Sequence, residues 1–156
     1  MRPQIVFIGT SASTPTHVRL SPAILVCSIR TCILLDAGEG AQINLGKIGL
    51  DLLKINIIAI THMHGDHYYG LMPIIDTITM KLTTQNTQRP HIIKLVGPRE
   101  LCSLYLKQLL TSDSKIGDGY PYIYDINTIK LECIDAGILS NAKNYLWTEN
   151  NDVALS

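Results

Sequence analysis

Apolar residues gather in short runs through the first third of the chain. QIVFIG (4–9), AILVCSI (23–29) and TCILLDAG (31–38) are rich in β-branched residues and bounded by Gly, Pro or Ser, the pattern of strands. Residues 29–31, IRT, are expected to turn the second run into the third as a hairpin. GEGAQINLGKIG (38–49) reads as a helix opening on glycine and closing near Gly46 to Gly49. INIIAITH (55–62) is a continuous apolar run, as expected of a strand buried on both faces. From Tyr68 to Leu82 the apolar positions are Leu71, Ile74, Ile75, Ile78 and Leu82, spaced by three and four. That spacing predicts one buried helical face. HIIKLVG (91–97) reads as a strand, and Pro98 opens the helical segment PRELCSLYLKQLL at a position proline tolerates. SDSKIGDG (112–119) is the most polar link. After it YPYIYDI, TIKLECID and NYLWT alternate like strands. Strands outnumber helices and the two are interleaved, which predicts a layered α/β architecture.

Composition narrows this picture without redirecting it. The 156 residues are 46% hydrophobic and 17% charged, which fits a soluble globular protein with one domain or half of a larger one. Formal net charge is zero, so bulk charge points to no partner, although a local basic face remains compatible with nucleic acid. No apolar run is long enough to cross a bilayer, and the start MRPQIVFIGT reads as a strand rather than a signal peptide. The cysteines Cys27, Cys32, Cys102 and Cys133 lack metal-binding spacing. Cys27 and Cys32 are expected to be small core residues of a reduced, cytoplasmic protein.

The chemistry concentrates in THMHGDHYYG (61–70), which holds three of the five histidines. His62 and His64 lie two apart just after a strand, so in extended backbone both imidazoles point the same way. Asp66 and His67 follow the turn at Gly65. Imidazole nitrogen and carboxylate oxygen are zinc donors, and two adjacent ions can clamp both oxygens of a phosphodiester displacement. A single histidine in such a place would read as structural; three with an aspartate read as a metal site. His91, beside Pro90 at a strand start, reads as structural. His17, in the loop PTHVRLSP, fits a solvated or a substrate-facing role equally, and Arg19 in the same loop is a candidate phosphate contact beside its solvated reading.

The pattern HxHxDH after an apolar strand resembles the signature of the metallo-β-lactamase superfamily, an αββα sandwich with metals at one sheet edge. FIGTSASTPT, LLDAGEGAQ, THMHGDHYYGL and LVGPREL are similar to segments of one branch, ribonuclease Z, the endonuclease that removes 3′ trailers from precursor tRNA. The likeness runs through most of residues 4–110. It implies that His62 and His64 hold one Zn2+, that Asp66 and His67 hold the other, and that Asp66 also accepts a proton. It implies that Asp36 supports the metal site from behind by orienting a ligand imidazole; on sequence alone a helix cap before GEG is an equal reading. A complete site of this kind would carry two zinc ions, act on precursor tRNA and sit in a homodimer.

The resemblance is incomplete. The family requires a histidine, a shared aspartate and a last histidine downstream, yet no histidine follows His91. Aligning Tyr145 with the family's tyrosine puts Ile138 where the first of these belongs. Residues 1–156 are therefore read as one partial domain, the amino-terminal half of the fold truncated at its carboxyl end, and as inactive alone. The other readings are a non-catalytic relative that binds RNA or a partner, and a different hydrolase on the same scaffold.

Overall fold

The computed structural model describes residues 2–85, 91–101, 103 and 104, together with the backbone of 129–135, 144–147 and 153–155. The strands are β1 (Gln4–Gly9), β2 (Ala23–Cys27), β3 (Cys32–Leu35), β4 (Ile55–Ala59), β5 (His91–Gly97), β6 (Ile129–Asp135), β7 (Asn144–Trp147) and β8 (Val153–Leu155). The helices are α1 (Ala41–Lys47), α2 (Gly65–Tyr68) and α3 (Leu71–Thr84). Among the described residues the strands form a single sheet, in the order in which they occur along the chain. β1, β2 and β3 pair antiparallel, β3 to β6 pair parallel, and β7 and β8 return antiparallel. The mixture follows from the connections: a tight turn joins β2 to β3 as a hairpin, whereas α1 and α3 lie in the crossovers between parallel strands.

Alternation sets the two faces of this sheet. Ile8, Leu25, Leu34, Ile58, Ile93 and Leu95 point inward and are buried with Ala41 and Leu45 of α1 and Leu71, Ile74, Ile75, Ile78 and Leu82 of α3. The three-and-four spacing expected of the second helix thus faces the sheet. On the opposite face, pairing aligns Phe7, Ile24, Leu35, Ala59 and Val96 in one row across five strands. Phe7 in that row is 67% exposed. Five neighbouring apolar residues on the second face of a sheet are what one leaf of a sandwich carries.

Three expectations are corrected. Cys27 and Cys32 do belong to the core, Cys32 within it and Cys27 packed against it, but not as reduced thiols: they face each other across the β2–β3 hairpin, 4.1 Å apart at Cα, and form a disulfide. The hairpin turn itself falls where expected, with the Ser28 amide donating to the Thr31 carbonyl at 2.8 Å. The helix expected over Tyr68 to Leu82 is two helices, because the Gly70 amide turns away to donate to the Ala37 carbonyl at 2.8 Å. The helix expected from Gly38 starts only at Ala41, since the Ala37 and Gly38 amides are engaged by His67 and Pro22 carbonyls. Ile138, the polar link 112–119 and the run YPYIYDI lie outside the described residues.

Candidate functional site

In the parallel part of the sheet the carboxyl ends of β3, β4 and β5 open on one edge, the usual place for a ligand in open α/β sheets. Leu35 pairs with Ala59, so the residues that follow each strand, Asp36 and the segment Ile60 to His64, leave the sheet side by side. The Asp36 amide donates to the Ala59 carbonyl at 2.7 Å, and the Ile60 amide to the Val96 carbonyl at 2.8 Å. These bonds carry the ladder one residue past the strands and fix where the side chains begin.

His62, His64 and His67 come together. The rings of His62 and His64 lie 4.5 Å apart between centroids, and those of His62 and His67 lie 4.1 Å apart. His64 ends the extended segment as the N-cap of α2, whose single turn presents Asp66 and His67 back toward it. Asp66 Oδ2 stands 3.6 Å from His67 Nε2 and accepts from the Ser13 amide at 2.9 Å. The loop after β1 therefore reaches over to the carboxylate.

Asp36 is buried behind the cluster. Its Oδ2 lies 2.8 Å from His67 Nδ1, and its Oδ1 accepts from the Thr61 amide at 2.8 Å and the Thr61 hydroxyl at 2.9 Å. It does not cap α1, whose N-cap is Gly40. Asp36 and Ser13 are the two non-glycine residues with left-handed backbone among those described, at φ 57° and 63°. Both touch the cluster, and left-handed strain of about 1–3 kcal/mol each persists where the surroundings over-determine it.

Burial, and after it the neighbouring Tyr69 phenol, pushes the Tyr68 hydroxyl above its usual range. His17 and Arg19 stand exposed in the loop after β1. His91 lies apart: one of its ring nitrogens is 3.0 Å from the Ile55 carbonyl, a tie between β4 and β5. Ser13 and Thr61 are site residues that the sequence did not single out. Thr61 sits inside the motif but reads there as an ordinary strand-end residue; for Ser13 there is no local signal.

As donors, three imidazoles and a carboxylate match zinc in kind. In number they fall short, because among the described residues no three such side chains converge on one position. The His62 ring neighbours both His64 and His67, and Asp66 neighbours His67.

The fold recurs in solved structures. Human tRNase Z, short form, superposes with a TM-score of 0.64 at 24% identity, covering 96% of this chain and 57% of its own. YhfI of Bacillus subtilis, a metallo-β-lactamase fold protein, gives 0.57 at 14% identity over 84% and 46%. The architecture is the metallo-β-lactamase fold. Within it the chain belongs to the family described as anti-Pycsar protein Apyc1, whose model matches residues 3–117. Ribonuclease Z of Saccharolobus islandicus is 42% identical over 98 residues, 63% of this chain and 32% of that protein. Zinc phosphodiesterase ELAC protein 1 of Bos taurus is 32% identical over 123 residues, 79% and 33% respectively. The chain thus spans about a third of the length of these curated relatives. Among the described residues no helix is long and apolar enough to cross a membrane.

Proposed function

We propose that residues 1–156 are one partial domain of a zinc-dependent phosphodiesterase of the ribonuclease Z kind, which cuts 3′ trailers from precursor tRNA. The observation that carries this reading is the His62 ring set beside both His64 and His67, with Asp66 next to His67 and Asp36 behind it, at the carboxyl edge of the parallel strands. The relatives' names, ribonuclease Z and zinc phosphodiesterase, supply the substrate class and the metal.

His62 and His64 would hold one zinc ion, and Asp66 with His67 a second. When bound, zinc would supply a Lewis acid that lowers the pKa of water to about 7. Asp66 takes the proton from the attacking water, its carboxylate aimed by the Ser13 amide. His17 and Arg19 contact substrate phosphate from the exposed loop. Because each pair is short of the three ligands typical of catalytic zinc, this chain alone is inactive. A homodimer and a cytoplasmic location for the complete protein are part of the same reading and come from the resemblance alone.

The test is a trailer assay. Zinc and a precursor tRNA with a 3′ trailer are given to the complete protein and to residues 1–156 separately. The complete protein is expected to release the trailer and leave a 3′-hydroxyl, and the shorter chain to release none. A complete protein that binds zinc and leaves the trailer in place sinks the ribonuclease reading. That result favours a hydrolase of the same scaffold with another substrate, a reading supported by the family description, which names a different protein.

A further inference from the structure

The geometry assigns Thr61 a positioning role: its hydroxyl carries the hold of Asp36 to His62, so that one buried carboxylate fixes the tautomer of two site histidines. The inference deepens the zinc reading above, and rests on it for the purpose of the tautomer but not for its existence.

As a carboxylate Asp36 only accepts, a hydroxyl has one proton to give, and a neutral imidazole has one N–H and one lone pair. His67 Nδ1 faces Asp36 Oδ2 at 2.8 Å, so the His67 proton sits on Nδ1 and its Nε2 keeps the lone pair. Thr61 Oγ1 lies 2.9 Å from Oδ1 and 3.1 Å from Oδ2 of the same carboxylate. Its single proton must point there, because otherwise oxygen lone pairs would face each other at that distance. The remaining lone pairs of Oγ1 then face His62 Nδ1 at 3.0 Å, which is satisfied only when His62 donates. His62 therefore also carries its proton on Nδ1 and leaves Nε2 free. The relay runs from His62 Nδ1–H to Thr61 Oγ1–H to Asp36, while His67 Nδ1–H reaches Asp36 directly.

The backbone fixes this arrangement. The Thr61 amide donates to Asp36 Oδ1 at 2.8 Å, so amide and hydroxyl of one residue grip one carboxylate oxygen. His64 has no such tie among the described contacts with Asp36 or Thr61, which makes the relay specific to His62 and His67.

Thr61→Val keeps the shape and removes the hydroxyl; Thr61→Ser keeps the hydroxyl. Imidazole nitrogen shifts of His62, read by NMR on metal-free protein above the pH of imidazole titration, report the tautomer. The parent is expected to show His62 protonated on Nδ1. Thr61→Val is expected to move His62 toward the Nε2-protonated form while His67 stays as it is, and Thr61→Ser to restore the parent spectrum. In a zinc titration Thr61→Val should weaken binding about 10- to 100-fold and Thr61→Ser should not, the loss usual when a partner behind a ligand is removed. A parent spectrum with the His62 proton on Nε2 overturns the inference, whether or not Thr61→Val folds. So does a Thr61→Val protein whose His62 is unchanged. The spectra are recorded without metal, so the relay stands or falls on them, and the titration tests the zinc reading separately.

Discussion

Gly70 and Gly38 pass so close that a Cβ on Gly70 would overlap the Gly38 carbonyl oxygen. The contact brings the loop after β3 against the loop that carries the histidines. Around it the Ala37 amide donates to the His67 carbonyl at 2.7 Å and the Gly70 amide to the Ala37 carbonyl at 2.8 Å. Gly70→Ala must push these loops apart. We expect a loss of about 1–3 kcal/mol, typical of overpacking, measured by urea denaturation. An unchanged midpoint would show that the loops are not held at this separation.

Ile75 is fully buried on α3, whereas Met80 on the same helix is half exposed. Ile75→Asp should abolish cooperative unfolding, because an unpaired buried charge costs several kcal/mol. Met80→Asp should melt close to the parent. Similar behaviour of the two variants would place the wrong face of α3 on the sheet.

Asp66→Ala should remove trailer cleavage by the complete protein. The residue is both a proposed zinc donor and the proposed proton acceptor, and its carboxylate is already aimed by Ser13. Parental turnover in this variant with zinc present would take both roles away from it.

Residues 1–156 should retain at most one equivalent of zinc through dialysis. The two donor pairs each leave one ligand position to water beyond the usual open one, so each holds its ion weakly. Metal analysis of the dialysed chain decides this, and two tightly held ions per chain would require donors beyond His62, His64, Asp66 and His67.

Reduction of the Cys27–Cys32 disulfide should lower stability by about 2 kcal/mol, as expected for closing so short a loop, with five residues of separation. Denaturation with and without reductant measures it. Because the hairpin also has its ladder and the Ser28 turn, the reduced protein should still fold.

The sequence revealed most strands, the buried face of α3 and the cluster at 62–67, since each is written in local periodicity or spacing. What it hid depends on residues distant in the chain. Asp36 stood equally as a helix cap or a support, and only the pairing of β3 with β4 puts it 2.8 Å from His67. Thr61 was passed over because the direction of its hydroxyl depends on that same pairing. The disulfide depends on hairpin register, which places Cys27 opposite Cys32. The break at Gly70 is invisible to helical periodicity, because the apolar spacing continues through it while its amide is taken by Ala37.

The order of the sheet bears on how the protein is made. Each strand from β2 to β8 pairs with the one before it, so a chain emerging from the ribosome always finds its next docking edge already built. Among the described residues no strand pairs beyond its neighbours in the chain, and although the parallel pairs must close the long crossovers 36–54 and 60–90, loop-closure entropy grows only slowly with length. Asp36, Thr61, His62 and His67 all precede β5 in the chain. Their hydrogen-bonded cluster can therefore be in place while the later strands are still being synthesised.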